Sequence, residues 1–165
     1  MAITFVPPAP VLSGDATLEV FVYPAADRTL EPENKFCDTR RLACLGQVMA
    51  EAAYMDIMRQ RYPASSGKDL QVSLPRRIKA RELLQISDDA GIYQQMVDNQ
   101  LENIMERAGE IYEWHKKVLG CPNDVDAKSP EECRRLFCTY AGAVNVQFGF
   151  NKLESWMRDI LSFIN

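Results

Sequence analysis

Few side chains in this sequence could do acid–base or nucleophilic chemistry. His115 is the only histidine, and no Ser-His-Asp spacing typical of a hydrolase stands out around it. It falls on the apolar stripe of a predicted helix. A histidine there is more often a core residue with one hydrogen-bond partner than a catalytic base.

The five cysteines do not indicate a metal site or a disulfide framework. Cys37 and Cys44, or Cys133 and Cys138, are the pairs to consider for zinc, but their separations do not match common structural zinc spacings. An odd number of cysteines is typical of a reducing compartment with free thiols. The sequence predicts no metal and no cofactor.

One basic cluster could contact the phosphates of RNA, since backbone binding needs only clustered Lys and Arg. It consists of Arg76, Arg77, Lys79 and Arg81. A solvated helix face is the simpler interpretation, because an acidic run follows that would repel a duplex. That run comprises Asp88, Asp89, Asp98, Glu102, Glu106, Glu110 and Glu113. The sequence therefore predicts weak RNA binding at most.

Residues 40–47, Arg-Arg-Leu-Ala-Cys-Leu-Gly-Gln, carry the most informative pattern. They resemble the ribonuclease III signature, which reads Glu-Arg-Leu-Glu-Phe-Leu-Gly-Asp. The matching framework residues are Arg41, Leu42, Leu45 and Gly46. The three acidic positions of the signature are occupied by Arg40, Ala43 and Gln47.

A second segment resembles the family's later motif, Asp-x-x-Glu-Ala-x-x-Gly-Ala-Val. In residues 135–144 the matching residues are Gly142, Ala143 and Val144. The two acidic positions hold Arg135 and Cys138. Residues 148–161 also resemble the closing helix of that domain. The resemblance spans roughly residues 36 to 164 and implies an all-α fold.

In the family, the clustered carboxylates hold Mg²⁺, which requires hard oxygen ligands. Positions 40, 43 and 47 share one helix face, positions 135 and 138 share another, and the resemblance implies that the two faces meet. Two guanidinium groups there would repel a cation. Two like unit charges at ~4 Å repel each other by about 4 kcal/mol, and a divalent ion doubles that repulsion. We therefore expect no Mg²⁺ binding and no RNA cleavage. A site shifted to Glu51 and Glu131 is the counter-hypothesis.

Cys138 has two interpretations at its altered position. It could be a nucleophile if Arg135 lowered its pKa, but a cysteine beside Phe137 is more often a small buried hydrophobe. The same resemblance implies two-fold pairing through the motif helix, where the family has an aromatic residue at the position of Cys44. We expect a homodimer whose interface includes Cys44, Leu45 and Val48.

Residue patterns divide the chain into an extended N-terminal arm, residues 1–35, and an all-α domain, residues 36–165. Prolines break helices throughout the arm, and residues 18–23 have strand-forming side chains. Predicted helices begin at Asp38 or Thr39 and end near Tyr62, cover 74–85, and run from Ser87 to about Val118. Two more run from Ser129 to about Gln147 and from Asn151 to Phe163.

The chain has 165 residues, of which 47% are hydrophobic and 25% charged, and its formal net charge is −4. This composition predicts one globular domain, with no apolar run long enough to span a bilayer. Without a secretory signal pattern, a cytoplasmic protein is expected, with a nuclear or mitochondrial location as the alternative.

The sequence thus predicts a catalytically inactive ribonuclease III-like protein that acts as a dimeric scaffold or binds an unidentified protein partner. Two alternatives stay open: binding of structured RNA without cleavage, and an enzyme with new chemistry in the altered cleft.

Overall fold

The computed structural model describes residues 6–23, 36, 38–61, 101–122 and 125–164. In these ranges five α-helices form, which confirms the prediction of an all-α fold. They are α1 (Gly14–Phe21), α2 (Thr39–Arg61), α3 (residues 101–111), α4 (Pro130–Phe148) and α5 (Phe150–Ile164). The β-type contact recorded in these ranges is an isolated bridge between Val22 and Leu119. The predicted helix over 74–85 lies outside the described residues.

Helix α1 replaces the strand that the side chains of residues 18–23 favour. The Ser13 side chain caps it by accepting the Ala16 backbone N–H at 3.4 Å. In a helix Ala16 and Val20 lie on one face, and both are buried, as is the adjacent Phe21. In a strand Val20 and Phe21 would point to opposite faces. Burial of this apolar face therefore outweighs the local strand propensity.

Helix α2 begins and ends where its sequence predicts. One carboxylate oxygen of Asp38 accepts the backbone N–H groups of Arg40 at 2.8 Å and Arg41 at 2.9 Å. Next to this cap, buried Thr39 donates its hydroxyl to the Glu19 carbonyl at 2.8 Å. The hydrogen bond joins the start of α2 to α1.

The predicted helix from Ser87 to Val118 is wrong at its C-terminal end, because α3 stops at residue 111. Glu113 takes a left-handed backbone conformation with φ 50°, and a 3₁₀-helix covers Trp114–Lys117. This turn places Trp114 in the core, stacked on Tyr112 and Tyr140 with ring centroids 4.8 and 4.3 Å away. Burying an indole offsets the strain of about 1–3 kcal/mol at one left-handed residue.

Helices α4 and α5 confirm the two C-terminal predictions. Ser129 caps α4 by accepting the Glu132 N–H at 3.3 Å, and Pro130 occupies the first turn. Gly149, with φ 85°, ends α4 and lets α5 begin one residue later. The buried residues of α5 recur every three or four positions and are Leu153, Trp156, Met157, Ile160 and Leu161.

Helix α4 lies at the centre of the molecule, and glycines bring two other helices against its backbone. A methyl group at Gly46 of α2 would overlap the backbone oxygen of Cys138, and one at Gly142 would overlap that of Leu42. A methyl group at Gly109 of α3 would overlap the Cys133 carbonyl. Both α2 and α3 therefore approach α4 more closely than any side chain would allow.

Candidate functional site

The two motif segments come together in the structure, since α2 and α4 cross at Gly46 and Gly142. Both glycines are framework residues of the segments that resemble ribonuclease III. The side chains at the five altered acidic positions, however, differ in exposure and in the residues that they contact.

On α2 the three altered positions differ in exposure. Arg40 is exposed, whereas Ala43 is partly buried and packs against the hydrophobic core. Gln47 is also partly buried, and its amide donates to the Glu51 carboxylate at 3.1 Å. Glu51, the residue considered for a shifted metal site, therefore accepts a hydrogen bond from Gln47.

Arg135 on α4 is held by contacts with Glu132 and Tyr23. Its Nε lies 2.9 Å from a Glu132 carboxylate oxygen, and its guanidinium carbon is 5.5 Å from the centre of the Tyr23 ring. The two terminal nitrogens are buried and have no hydrogen-bond partner among the described residues. The cation is thus neutralised on one side and unsatisfied on the other.

Cys138 is a core residue with 5% of its surface exposed. Its Sγ lies 3.7 Å from the Met105 Sδ, so it packs against α3. This position favours the interpretation as a small buried hydrophobe. Cys133 is also buried, and burial, together with the nearby Glu110 and Glu106, raises the pKa of its thiol. A raised pKa opposes thiolate chemistry there.

The side chains at the five altered positions are therefore a neutral amide, two guanidinium groups, a methyl group and a buried thiol, and the carboxylates beside them, Glu51 and Glu132, are bonded to Gln47 and Arg135. This set does not suit Mg²⁺, which prefers several oxygen ligands. Across the described ranges, no group of three or more His, Cys, Asp or Glu side chains could hold a metal ion.

The residues expected at a dimer interface lie on the outer face of α2. Cys44 is exposed, Leu45 is 36% exposed and Val48 is 60% exposed. The opposite face of the helix is packed against the core through Leu42, Gly46, Ala50, Ala53 and Ile57. Helix α2 thus presents apolar side chains on two sides.

His115 lies in the 3₁₀-helix and not on a stripe of α3, which corrects its predicted position. It is partly buried, and both of its ring nitrogens lack a hydrogen-bond partner in the described parts of the chain. The one hydrogen-bond partner expected for His115 is therefore not found among the described residues. The basic residues Arg76, Arg77, Lys79 and Arg81 lie outside the described residues, so their interpretation stays a prediction.

The structure also shows a site that the sequence does not predict. It is an aromatic cluster contacted by residues 6–13 of the N-terminal arm. The aromatic cluster comprises Phe21, Tyr112, Trp114, Phe137, Tyr140 and Trp156. The Tyr112 hydroxyl donates to the Pro7 carbonyl at 2.7 Å, and the Tyr140 hydroxyl donates to the Pro10 carbonyl at 2.5 Å. The available signal is the Pro7-Pro8-Ala9-Pro10 sequence, which predicts an extended arm but does not indicate the tyrosines that the arm contacts.

The described residues form an all-α protein. Among the helices that they form, none is both long and apolar enough to cross a membrane. Comparison of the chain with protein-family models, curated protein sequences and solved structures gave no significant match. The likeness to ribonuclease III consequently rests on the sequence resemblance of the two motifs and of residues 148–161.

Proposed function

We propose that this protein is a non-enzymatic, ribonuclease III-like scaffold that forms a homodimer through the outer face of α2. The observation that carries the proposal is the exposure of Leu45 and Val48 on a helix whose other face is fully packed. Apolar side chains grouped on a rigid helix, next to exposed Cys44, are typical of a protein-binding surface. A two-fold pairing of this face would bury them in both copies.

The altered positions support the non-enzymatic part of the proposal. Gln47 is bonded to Glu51, Arg135 is paired with Glu132, and Cys138 is packed on Met105. A divalent ion bound near the crossing would have to displace these contacts and approach a guanidinium group. We expect no saturable Mn²⁺ binding by calorimetry and no metal-dependent cleavage of double-stranded RNA. Cleavage that Gln47→Ala abolishes would contradict this part.

Dimerisation is tested by sedimentation velocity over a wide concentration range. We expect a dimer for the natural chain, and Val48→Glu should raise the dissociation constant at least about tenfold, because it places a charge in an apolar contact. Val11→Glu is the matched control, since Val11 is 85% exposed and belongs to the arm. A monomeric natural chain, or equal dissociation constants for the two variants, would refute the interface.

A second candidate function, anion binding in the altered cleft, is favoured by one observation. The terminal nitrogens of Arg135 are buried without a hydrogen-bond partner among the described residues. Two oxygens of a phosphate would accept hydrogen bonds from the two nitrogens as a bidentate pair. Calorimetry with inorganic phosphate, repeated on Arg135→Lys, tests this candidate, and binding that is unchanged in the variant would reject it.

A further inference from the structure

The arm residues 6–13 bind the aromatic cluster through their backbone carbonyls. Pro7 and Pro10 accept the hydroxyl hydrogens of Tyr112 and Tyr140. Their positions are three residues apart, which is the spacing at which the carbonyls of a polyproline II helix face the same side. The hydroxyls of the two tyrosines thus bond to backbone carbonyl oxygens and not to any side chain of the arm.

The sequence of the arm favours this extended conformation before it docks. Each proline fixes its own φ near −65°, and it also restricts the preceding residue to extended conformations. Val6, Pro7 and Ala9 each precede a proline. Little conformational entropy is therefore lost when the arm binds, which is the property that makes proline-rich segments good ligands.

The tyrosines are held in place by the aromatic rings around them. The Trp156 ring nitrogen donates to the Tyr112 hydroxyl at 3.0 Å, and Tyr140 stacks on Trp114. Val6 and Pro7 themselves form one wall of an apolar depression whose other walls include Ala108, Ile111 and Ile160. Aromatic rings, hydroxyl donors and apolar side chains are the components of a surface that binds proline-rich segments.

We propose that the aromatic cluster is a binding site for proline-rich segments with Pro-x-x-Pro spacing, which the chain's own Pro7-Pro8-Ala9-Pro10 occupies in cis. A partner protein with the same spacing competes for the site in trans. The arm acts as a tethered competitor at an effective concentration in the millimolar range, so a partner binds tightly only when the arm is weakened or released. The site is separate from the outer face of α2, and neither proposal depends on the other.

The test uses the full chain carrying Pro7→Gly and Pro10→Gly as the receptor. A synthetic peptide with the sequence of residues 6–13 is titrated into it, and the same peptide with alanine in place of Pro7 and Pro10 is the matched control. Binding is followed by tryptophan fluorescence, because the chain has 2 tryptophans and both, Trp114 and Trp156, belong to the aromatic cluster.

We expect saturable binding of the proline peptide and about tenfold weaker binding of the alanine peptide, since alanine loses the preset conformation. The natural chain should bind the proline peptide at least about tenfold more weakly than the receptor variant, because its own arm competes. Equal affinity for the two peptides, or no saturation by a receptor that is folded by circular dichroism, would overturn the proposal.

If the receptor variant does not fold, hydrogen exchange of Tyr140→Phe in the otherwise natural chain provides the second measurement. Loss of the hydroxyl should accelerate exchange of the Ser13 amide, which donates to the Gln147 side chain at 3.0 Å, several-fold and leave the amides of α5 unchanged. Unchanged exchange at Ser13 would show that the hydroxyl does not hold the arm, and the proposal would fail.

Discussion

At the crossing of α2 and α4 two backbones touch through glycines, whereas at the aromatic cluster a backbone is held by the hydroxyls of two side chains. The crossing has no space for one added methyl group at Gly46 or Gly142. Residues 6–13 of the arm are unevenly covered, with Pro8 and Val11 exposed and Pro10 and Leu12 buried. Close packing therefore fixes the two helices at the crossing, whereas two directional hydrogen bonds and two buried side chains hold the arm.

The largest effect should come from Gly46→Ala. Its methyl group would overlap the Cys138 carbonyl and lie 2.5 Å from the Gly142 nitrogen, both of which are backbone atoms in the centre of the molecule. One of the two helices would have to move, so we expect a loss of about 3 kcal/mol or more in the free energy of unfolding. Urea unfolding followed by circular dichroism measures it.

Gly14→Ala is the control for this experiment. A methyl group at Gly14 meets no atom within 4 Å, and the residue begins α1. Alanine should therefore be neutral or stabilise the protein by up to about 1 kcal/mol. If Gly46→Ala were as stable as Gly14→Ala, the close crossing of α2 and α4 would be incorrect.

A smaller effect is expected at the arm, where Tyr140→Phe removes one hydroxyl and leaves the Pro10 carbonyl without its donor. We expect a loss of about 1–2 kcal/mol in the free energy of unfolding at pH 7, less than for Gly46→Ala. A loss as large as that of Gly46→Ala would show that the arm is an integral part of the core and not a separable segment.

The same tyrosine should make the stability depend on pH in the alkaline range. Burial raises the pKa of Tyr140 from 10.0 to about 12. The neutral hydroxyl is therefore favoured in the folded state, and its contribution is complete below pH 10 and is lost as the pH rises toward 12. Urea midpoints at pH 9, 10 and 11 should fall less steeply for Tyr140→Phe than for the natural chain. Parallel curves would contradict this assignment.

Local sequence signals predicted where α2 and α4 begin, because the residues that cap them are next to their first turns in the sequence. Asp38 binds the first free N–H groups of α2, and Ser129 with Pro130 begins α4. The end of α3 could not be predicted in this way. It depends on Trp114 stacking on Tyr140, a residue 26 positions away along the chain, and no local pattern contains that contact.

The candidate sites show the same limit. The two motifs predicted that α2 and α4 carry the altered positions, but not that Cys138 would face Met105 of α3. Its orientation depends on α3 packing against α4 through Gly109, which only the three-dimensional arrangement reveals. Likewise, the prolines of the arm predicted an extended segment. The tyrosines that bind it are Tyr112 and Tyr140, more than a hundred residues later.

The smallest effects compare the helix caps of the two regions. Asp38 accepts two backbone N–H groups at 2.8 and 2.9 Å and begins α2, while Ser13 accepts one at 3.4 Å and begins α1 beside the arm. Asp38→Ala should therefore lower the free energy of unfolding by about 1 kcal/mol, and Ser13→Ala by about 0.5 kcal/mol. Urea unfolding of both variants at pH 7 measures the difference. A larger loss for Ser13→Ala than for Asp38→Ala would contradict this expectation. It would mean that α1 and the arm unfold together with the rest of the helices as one cooperative unit.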